Sequence, residues 1–499
     1  MNKVVQPAYL DVDERAQQML QLSTLQQIDP QIFVQMVLAA RWYGEKGTRP
    51  EEVILRHLAR LPGSDTHGLL HVELNGSGDA ERPKVYQIPI AVVAQPSGTT
   101  LAHLRSSHGQ VCHVVEASAL ASFWRALLRG FAGGAGADFS FVACSEALEQ
   151  LSQELLHDMV LLGGEQSNTS VVFGQQVLVK LYRRFESGEN PDVEIAQALS
   201  RQGFTHTPQL LGFVGHRKGV CAVLYAYCAN RGDVWQAALD DVARCCAQEE
   251  ADSMTFARTM ERLGEVTAEM HNLLSGGSLD ESFGCEPIGG KTIEAWRGHL
   301  ANEWRATLDD LRTKVGGCDA GVAALGATLE GAREAGSACI DGLIEAVRVD
   351  PGALIRHHGD FHLGQVLLKR TEDGEGFWII DFEGEPARPM EARRCRHSAA
   401  RDVAGILRSL HYAAAVGAQK SASAPPAAWI ATMREAFLAG YRRCATAGYL
   451  PRKAESFASL LRLFELEKAL YEVRYELAFR PSWAAVPMRG LQALLAVEM

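Results

Sequence analysis

Apolar and polar positions follow two different rhythms along this chain, and the change of rhythm divides it. Residues 8–40 carry apolar positions at helical spacing, with Ile32, Val34, Met36 and Val37 as the clearest group, and predict a helical start. Arg41-Trp42-Tyr43-Gly44-Glu45-Lys46-Gly47 interrupts that pattern. Strand-like runs follow at Gly68–Leu74 and Val85–Val93, parted by Asn75-Gly76-Ser77-Gly78, where glycine and asparagine make positive φ inexpensive. The helical period returns at Ala117–Phe131 and stops in the glycine-rich stretch Gly130–Gly136. A second group of strands begins near Met159 and takes in Ser170–Phe173, Gln176–Tyr182 and Val220–Tyr227. Between them Asn190-Pro191-Asp192 supplies a cap and a first-turn proline for a helix. From about residue 230 onward the helical period dominates, broken by one hairpin. Gly316–Gly336 and Ala422–Ala428 read as surface connections, and no internal repeat is apparent.

The pattern predicts an α+β protein in three parts: a small α/β cap over residues 1–105, a strand-rich intermediate part over 106–228, and a helical part over 229–499.

The hairpin carries the densest chemistry. His358-Gly359-Asp360-Phe361-His362-Leu363-Gly364-Gln365 leads into a predicted strand at Gly364–Lys369, a turn at Thr371–Gly376 and a returning strand at Phe377–Ile380, closed by Asp381-Phe382-Glu383. The order is that of a phosphotransfer site: an aspartate that accepts a hydroxyl proton, an amide five residues on, and a metal-binding aspartate at the next strand end. Protein kinases use asparagine and Asp-Phe-Gly there. Gln365 and Glu383 depart from that form and point to a small-molecule acceptor. A hairpin of this length returns the chain, so Gln365 and Asp381 are expected side by side, offering oxygens to one Mg²⁺. Asp360 then lies within reach of a hydroxyl in line with the γ-phosphate of ATP.

Lys180 sits in the apolar strand Val177–Tyr182, where a lone ammonium is costly; it predicts a role on the ATP phosphates, with Glu194 on the next helix as its ion-pair partner. Upstream, Gly163–Ser170 reads as a polar phosphate loop, with Ser167, Asn168, Thr169 and Ser170 as donors. It lacks the GK[ST] ending of a Walker A loop. Tyr225-Ala226-Tyr227 ends the strand expected to lead to an adenine-pairing hinge. On the acceptor side, Leu463, Leu466, Leu470, Val473 and Leu477 mark the core face of a helix at 460–479. Glu465, Glu472 and Glu476 fall opposite it, with Tyr471 and Tyr475 on the flank; stacked tyrosines and carboxylates suit a sugar, although a solvated acidic face has the same pattern. Arg401-Asp402 reads as an ion pair bracing the catalytic loop, and His358, His362 and Arg401 complete the acceptor-side candidates.

Composition narrows the partners. A formal net charge of −11 argues against nucleic acid or an anionic membrane, and Arg388–Arg401 reads as a solvated or ion-paired basic loop. Eleven scattered cysteines without paired zinc spacing, a start without an apolar targeting segment, and no apolar run of spanning length lead to the expectation of a cytoplasmic protein with free thiols.

The segments His358–Val366, Ile380–Pro389, Arg401–Ser409, Glu467–Glu476 and Arg480-Pro-Ser-Trp483 resemble those of maltokinases, a group within the aminoglycoside-phosphotransferase-like branch of the kinase fold. Arg41–Gly47 resembles their cap signature, although Glu45 stands where a small residue is expected, and Asn190–Glu194 resembles their lysine-partner helix. The resemblance implies a bilobal kinase-like fold with an extra N-terminal cap. It implies Asp360 as base, Gln365 and Asp381 on Mg²⁺, and Lys180 with Glu194 on the ATP phosphates. It implies maltose as acceptor, maltose 1-phosphate entering α-glucan (glycogen) synthesis, and a trehalose synthase as metabolic and physical partner. Two alternatives stand beside it. One is a kinase of the same fold for glucosamine or an aminoglycoside, with Glu472 and Glu476 at the ammonium. The other is an inactive docking module, which the full set Lys180, Glu194, Asp360, Gln365 and Asp381 disfavours.

Overall fold

The computed structural model describes residues 5–44, 49–76, 83–96, 98–133, 138–148, 158–163, 167–217, 219–247, 253–277, 282–370, 376–386, 388–420, 426–446 and 448–495. Two compact units emerge: residues 1–193 with 208–228, and residues 194–207 with 229–499.

The first unit holds two sheets. One has the order Tyr9–Asp11, Thr100–Arg105, Val111–Glu116, Lys84–Val93, His67–Gly76, Pro50–Arg60, with Arg184–Phe185 added to Lys84–Val93. Its pairs are antiparallel except Tyr9–Asp11 with Thr100–Arg105. The division expected at residue 105 falls between two paired strands, where Leu104 faces Cys112. The single helical start expected at 8–40 is instead a short strand and three short helices, Glu14–Gln18, Leu22–Leu25 and Pro30–Ala39. Asp13 and Asp29 cap two of them, and Pro30 occupies the first helical position, so each cap restarts the chain. Strand Pro50–Arg60 was hidden because its charged, mostly exposed residues mask the alternation.

The second sheet runs Phe139–Ala143, Leu210–His216, Gly219–Ala226, Val177–Tyr182, Asn168–Phe173, Met159–Leu161, all antiparallel. Val171, Phe173, Val179, Leu181, Val214 and Leu224 from its strands bury against Phe123, Trp124 and Leu127 of helix Ala121–Gly133. Burying rows of β-branched and leucine side chains on both sides fixes register, since a slip of one residue would exchange the two faces.

The second unit is helical apart from two three-stranded sheets. Helices Ser253–Leu274 and Ala427–Cys444 lie close because Gly264 and Gly440 remove side chains at their crossing; a Cβ at either would overlap the carbonyl of Phe437 or Glu261. Gly316–Gly336, expected as a surface connection, contains helix Ala320–Gly331 and the start of Arg333–Val349. Asp319 caps the first of these through the N–H groups of Gly321 and Val322, and Val322 and Leu329 enter the core. Of the other expected loop, residues 421–425 lie outside the described residues and Ala427 begins a helix. Among the described residues, no helix is long and apolar enough to cross a membrane.

Candidate active site

The catalytic hairpin belongs to the second unit. Strand Val366–Lys369 pairs with Phe377–Ile379 on one side and Asn230–Asp233 on the other. The expected turn lies mostly outside the described residues, at 371–375. Gln365 closes a 3₁₀ turn, Leu363–Gln365, rather than starting the strand, and the Nδ1 atom of His362 accepts from the Gly364 N–H at 3.1 Å. The return of the chain brings Gln365 and Asp381 together: the amide donates to Asp381 Oδ2 at 2.8 Å. Asp381 has φ 70°, a left-handed backbone that costs a non-glycine residue about 1–2 kcal/mol. Glu383 brings a carboxylate oxygen within 4.8 Å of one on Asp381. The two carboxylates are oxygen donors of the kind Mg²⁺ takes, and Gln365 presents its NH2 rather than its carbonyl to Asp381.

Asp402, in the first turn of helix Ala400–Lys420, holds the loop that carries Asp360. Its Oδ2 accepts from the His358 N–H at 2.7 Å, and its Oδ1 from the Gly359 N–H at 2.9 Å. His271 Nε2 donates to Oδ2 at 3.1 Å, while its Nδ1 accepts from the Tyr441 hydroxyl at 2.8 Å. Burial opposes the Asp402 charge, but the neighbouring histidines outweigh it and hold the carboxyl well below the usual range. Gly405, one turn along, lets the helix approach so closely that a Cβ there would overlap the Phe361 carbonyl. Asp402 thus braces the loop through backbone N–H groups, not through the ion pair with Arg401 that the sequence suggested. Arg401 instead pairs with Glu467 at 2.8 Å.

Asp360 keeps part of its side chain exposed, and its Oδ1 lies 3.4 Å from Lys468 Nζ. Lys468 is half-buried, which opposes its charge, yet Asp360, Glu385 and Glu472 outweigh that and raise its pKa. His358 faces inward: Nε2 donates to the Ile380 carbonyl at 2.9 Å and Nδ1 accepts from the Asp360 N–H at 3.4 Å. It ties the two ends of the hairpin together and is not placed as an acceptor contact.

In the first unit, Lys180 pairs with Asp192 at 3.0 Å, replacing the Glu194 partner expected from the sequence. Asp192 also accepts from the hydroxyls of Tyr182 at 2.9 Å and Tyr225 at 2.8 Å. The Tyr225 side chain is therefore buried against Asp192, and the Tyr227 N–H is given to the Gln176 carbonyl at 2.7 Å. Asn168, Thr169 and Ser170 lie in a strand rather than a loop, with Ser170 opposite Lys180. Thr169 Oγ1 accepts from Arg183 Nε at 2.7 Å. Ser167 is exposed, and residues 164–166 lie outside the described residues.

Glu194, in the second unit, receives Arg356 at 2.9 and 3.0 Å and Arg394 at 3.0 and 3.2 Å. Burial works against its charge, but these hydrogen bonds prevail and hold the carboxyl at about 2.

The acceptor-side helix is Ala454–Phe479. Its glutamates do not form a solvated face: Glu465 and Glu476 are buried. Arg434 reaches Glu465 at 2.9 Å, and the Tyr412 hydroxyl and Arg480 reach Glu476 at 3.3 and 2.7 Å. Glu472 is taken by buried Arg408 at 2.7 and 3.0 Å. The carboxylate pair expected at an ammonium is committed to these partners. The tyrosines do stand outward, Tyr471 stacked on Tyr475 at 6.1 Å and Tyr475 against Phe479 at 5.0 Å. Lys468, 5.3 Å from the Tyr471 ring, links this row to Asp360. Sequence reasoning missed Lys468, Glu383 and Asp192. Lys468 was recoverable, since it lies one turn before Tyr471 and Glu472 on the same helix.

No family model matches the chain. A glucosamine kinase from Streptacidiphilus jiangxiensis is 30% identical over 341 residues, covering 66% of this chain and 72% of the relative. A second, from Mycolicibacterium smegmatis, is 28% identical over 341 residues, covering 66% and 78%. A solved glucosamine kinase in complex with glucosamine, ADP and inorganic phosphate aligns over 93% of this chain and 99% of its own, with TM-score 0.62 and 24% identity. A crystal form of glucosamine kinase aligns with TM-score 0.65. These likenesses establish the α+β bilobal kinase-like fold with a helical C-terminal half, and the named relatives carry glucosamine rather than maltose in their names. The chain belongs to the family of small-molecule kinases that includes these glucosamine kinases.

Proposed function

We propose that this protein is an ATP-dependent sugar kinase with glucosamine as its acceptor. The observation that carries the phosphotransfer reading is the joining of Gln365 and Asp381 at 2.8 Å beside the clamped loop that presents Asp360. In this reading Asp360 accepts the proton of the attacking hydroxyl, and its partial exposure leaves it open to an acceptor. Asp381 and Glu383, with Gln365 once its amide is turned to present the carbonyl, would hold Mg²⁺, which when bound neutralises charge on the phosphates. In the first unit, Lys180, steadied by Asp192, is the cation proposed for the nucleotide's phosphates. Lys468, 3.4 Å away, orients Asp360. The choice of glucosamine rests on the relatives' names.

Maltose phosphorylated at its anomeric hydroxyl is the second reading. It is favoured by the stretch Glu467–Glu476 with Arg480–Trp483, and by an exposed tyrosine row longer than one sugar ring requires. A trehalose synthase would be its metabolic partner. Incubation with ATP, Mg²⁺ and, separately, glucosamine, maltose, glucose and kanamycin, read by ³¹P NMR, separates the two. A glucosamine phosphate is expected; an anomeric phosphate formed on maltose alone would overturn the choice of acceptor.

A further inference from the structure

We propose that Arg183 is a positioning residue for the nucleotide side of the reaction: it joins the two sheets of the first unit and so fixes the place of Lys180. The inference rests on the reading of Lys180 as the cation for the nucleotide's phosphates. The strand that carries Lys180, Val177–Tyr182, belongs to the second sheet, and Arg184–Phe185 already pairs with Lys84–Val93 of the first. Arg183 is the one residue between them, about 10 Å along the strand from Lys180.

The Arg183 side chain is buried and bonded in three directions. Its Nε donates to Thr169 Oγ1 at 2.7 Å, on the neighbouring strand, where Thr169 stands opposite Leu181. One terminal nitrogen donates to Glu116 Oε1 at 3.0 Å and the other to the Gln87 carbonyl at 3.4 Å, both in the first sheet. The Trp42 ring covers the guanidinium, its centre 4.9 Å away. The other Glu116 oxygen accepts from the Ser118 N–H at 3.1 Å and hydroxyl at 2.6 Å. Gln87, fully buried, closes the clamp from its own strand: its N–H donates to the Arg183 carbonyl at 2.7 Å and its side-chain amide to the Tyr182 carbonyl at 2.7 Å.

Burial opposes the Arg183 charge and Glu116 supports it. Apolar residues in place of such a buried pair often leave a protein as stable or more so, so holding two sheets together does not by itself call for one. What the pair adds is direction, because the planar fork meets its acceptors at set angles. From there the path to Lys180 is short. The Tyr182 hydroxyl donates to Asp192 Oδ2 at 2.9 Å, and the same oxygen accepts from Lys180 Nζ at 3.0 Å. The first sheet thus grips Tyr182 by its backbone, and the Tyr182 side chain sets the carboxylate that steadies the lysine.

The test titrates ADP with Mg²⁺ into the full-length protein by calorimetry, which reads the nucleotide side without an acceptor. Arg183→Lys keeps the charge but not the fork, and Glu116→Gln keeps the shape but not the charge. Arg183→Lys is expected to weaken ADP binding by about 10-fold, within the 10²-fold that a 1 Å misplacement from a distant change can cost. Glu116→Gln should show a smaller loss in the same direction. In turnover, the KM for ATP should rise while the acceptor KM and the kcat at saturating ATP stay as in the parent, a split that a loosened fold would not give. Lys180→Met separates the two readings. If it binds ADP as the parent does, the role of Lys180 fails and the proposal falls with it. If it loses ADP while Arg183→Lys and Glu116→Gln keep it, Lys180 stands and the role of Arg183 is overturned. Equal losses of nucleotide and acceptor affinity in Arg183→Lys would also overturn it. Should Arg183→Lys not fold, Glu116→Gln decides by the same outcomes.

Discussion

The loop His358–Gln365 and the helical run Tyr471–Phe479 both belong to the second unit, yet they are held in opposite ways. Asp402, at 1% exposure, uses both carboxylate oxygens to fix backbone N–H groups of the loop. Tyr475, at 40% exposure, is braced by rings on either side and by the Arg480 guanidinium 5.5 Å away. A carboxylate that must meet a reacting hydroxyl within a few tenths of an ångström needs a supporting shell that cannot move. A surface that covers sugar C–H patches needs only flat faces, and tolerates change at little cost to the fold. In the proposed reading, reaction type is built into the buried network and acceptor choice into the exposed row.

The sharpest break of that contrast is Asp360→Asn, which should lower kcat by about 10²–10⁴-fold while the unfolding temperature stays near that of the parent. Near-normal turnover would remove Asp360 from the chemistry. Asp402→Ala should cost about 3 kcal/mol in denaturant unfolding, because two buried N–H groups lose their acceptor, and should lower kcat as well. An Asp402→Ala variant of parental stability would mean that the loop is held by something else.

Glu194 sharpens the contrast through pH. Its folded-state carboxyl is held at about 2 against an ordinary value of 4.5, so its stabilisation is complete above about 4.5 and is lost as pH falls toward 2. With screening of its outer edge allowed for, this amounts to about 2 kcal/mol. Unfolding measured across that window should show a steeper acid limb in the parent than in Glu194→Gln; parallel limbs would show that the carboxyl is not held down. The smallest effect belongs to Tyr475→Ala. The acceptor KM should rise about threefold with kcat and stability unchanged, in keeping with one exposed aromatic contact. A fall in kcat alone would place the tyrosine in the chemistry instead.

The catalytic hairpin was legible because its order is local. Sixteen residues separate Gln365 from Asp381, and antiparallel return of a short apolar strand brings them together whatever surrounds them. The lysine's partner was not. Asp192 and Glu194 stand two positions apart on helix Pro191–Arg201, which at 3.6 residues per turn puts them on opposite sides. Either could have served Lys180; packing turned Asp192 toward it and gave Glu194 to Arg356 and Arg394. The acceptor helix misled for a related reason. A leucine stripe implies one buried side, but Ala454–Phe479 contacts helices Gly290–Lys314, Arg333–Val349, Ala400–Lys420 and Ala485–Leu495. Glutamates off the stripe were therefore drawn inward too, Glu465 and Glu472 matched by Arg434 and Arg408 from other helices and Glu476 by Arg480 at the end of its own.

By itself the sequence determined the strand carrying Lys180 and the order Asp360, Gln365, Asp381, because spacing along a strand or across a hairpin depends only on neighbours in the chain. Tertiary structure decided the partners of Asp402, Glu194, Glu465 and Glu472, because a desolvated carboxylate takes whichever counter-group packing brings within about 3 Å, and for these four that choice is made between residues far apart in sequence.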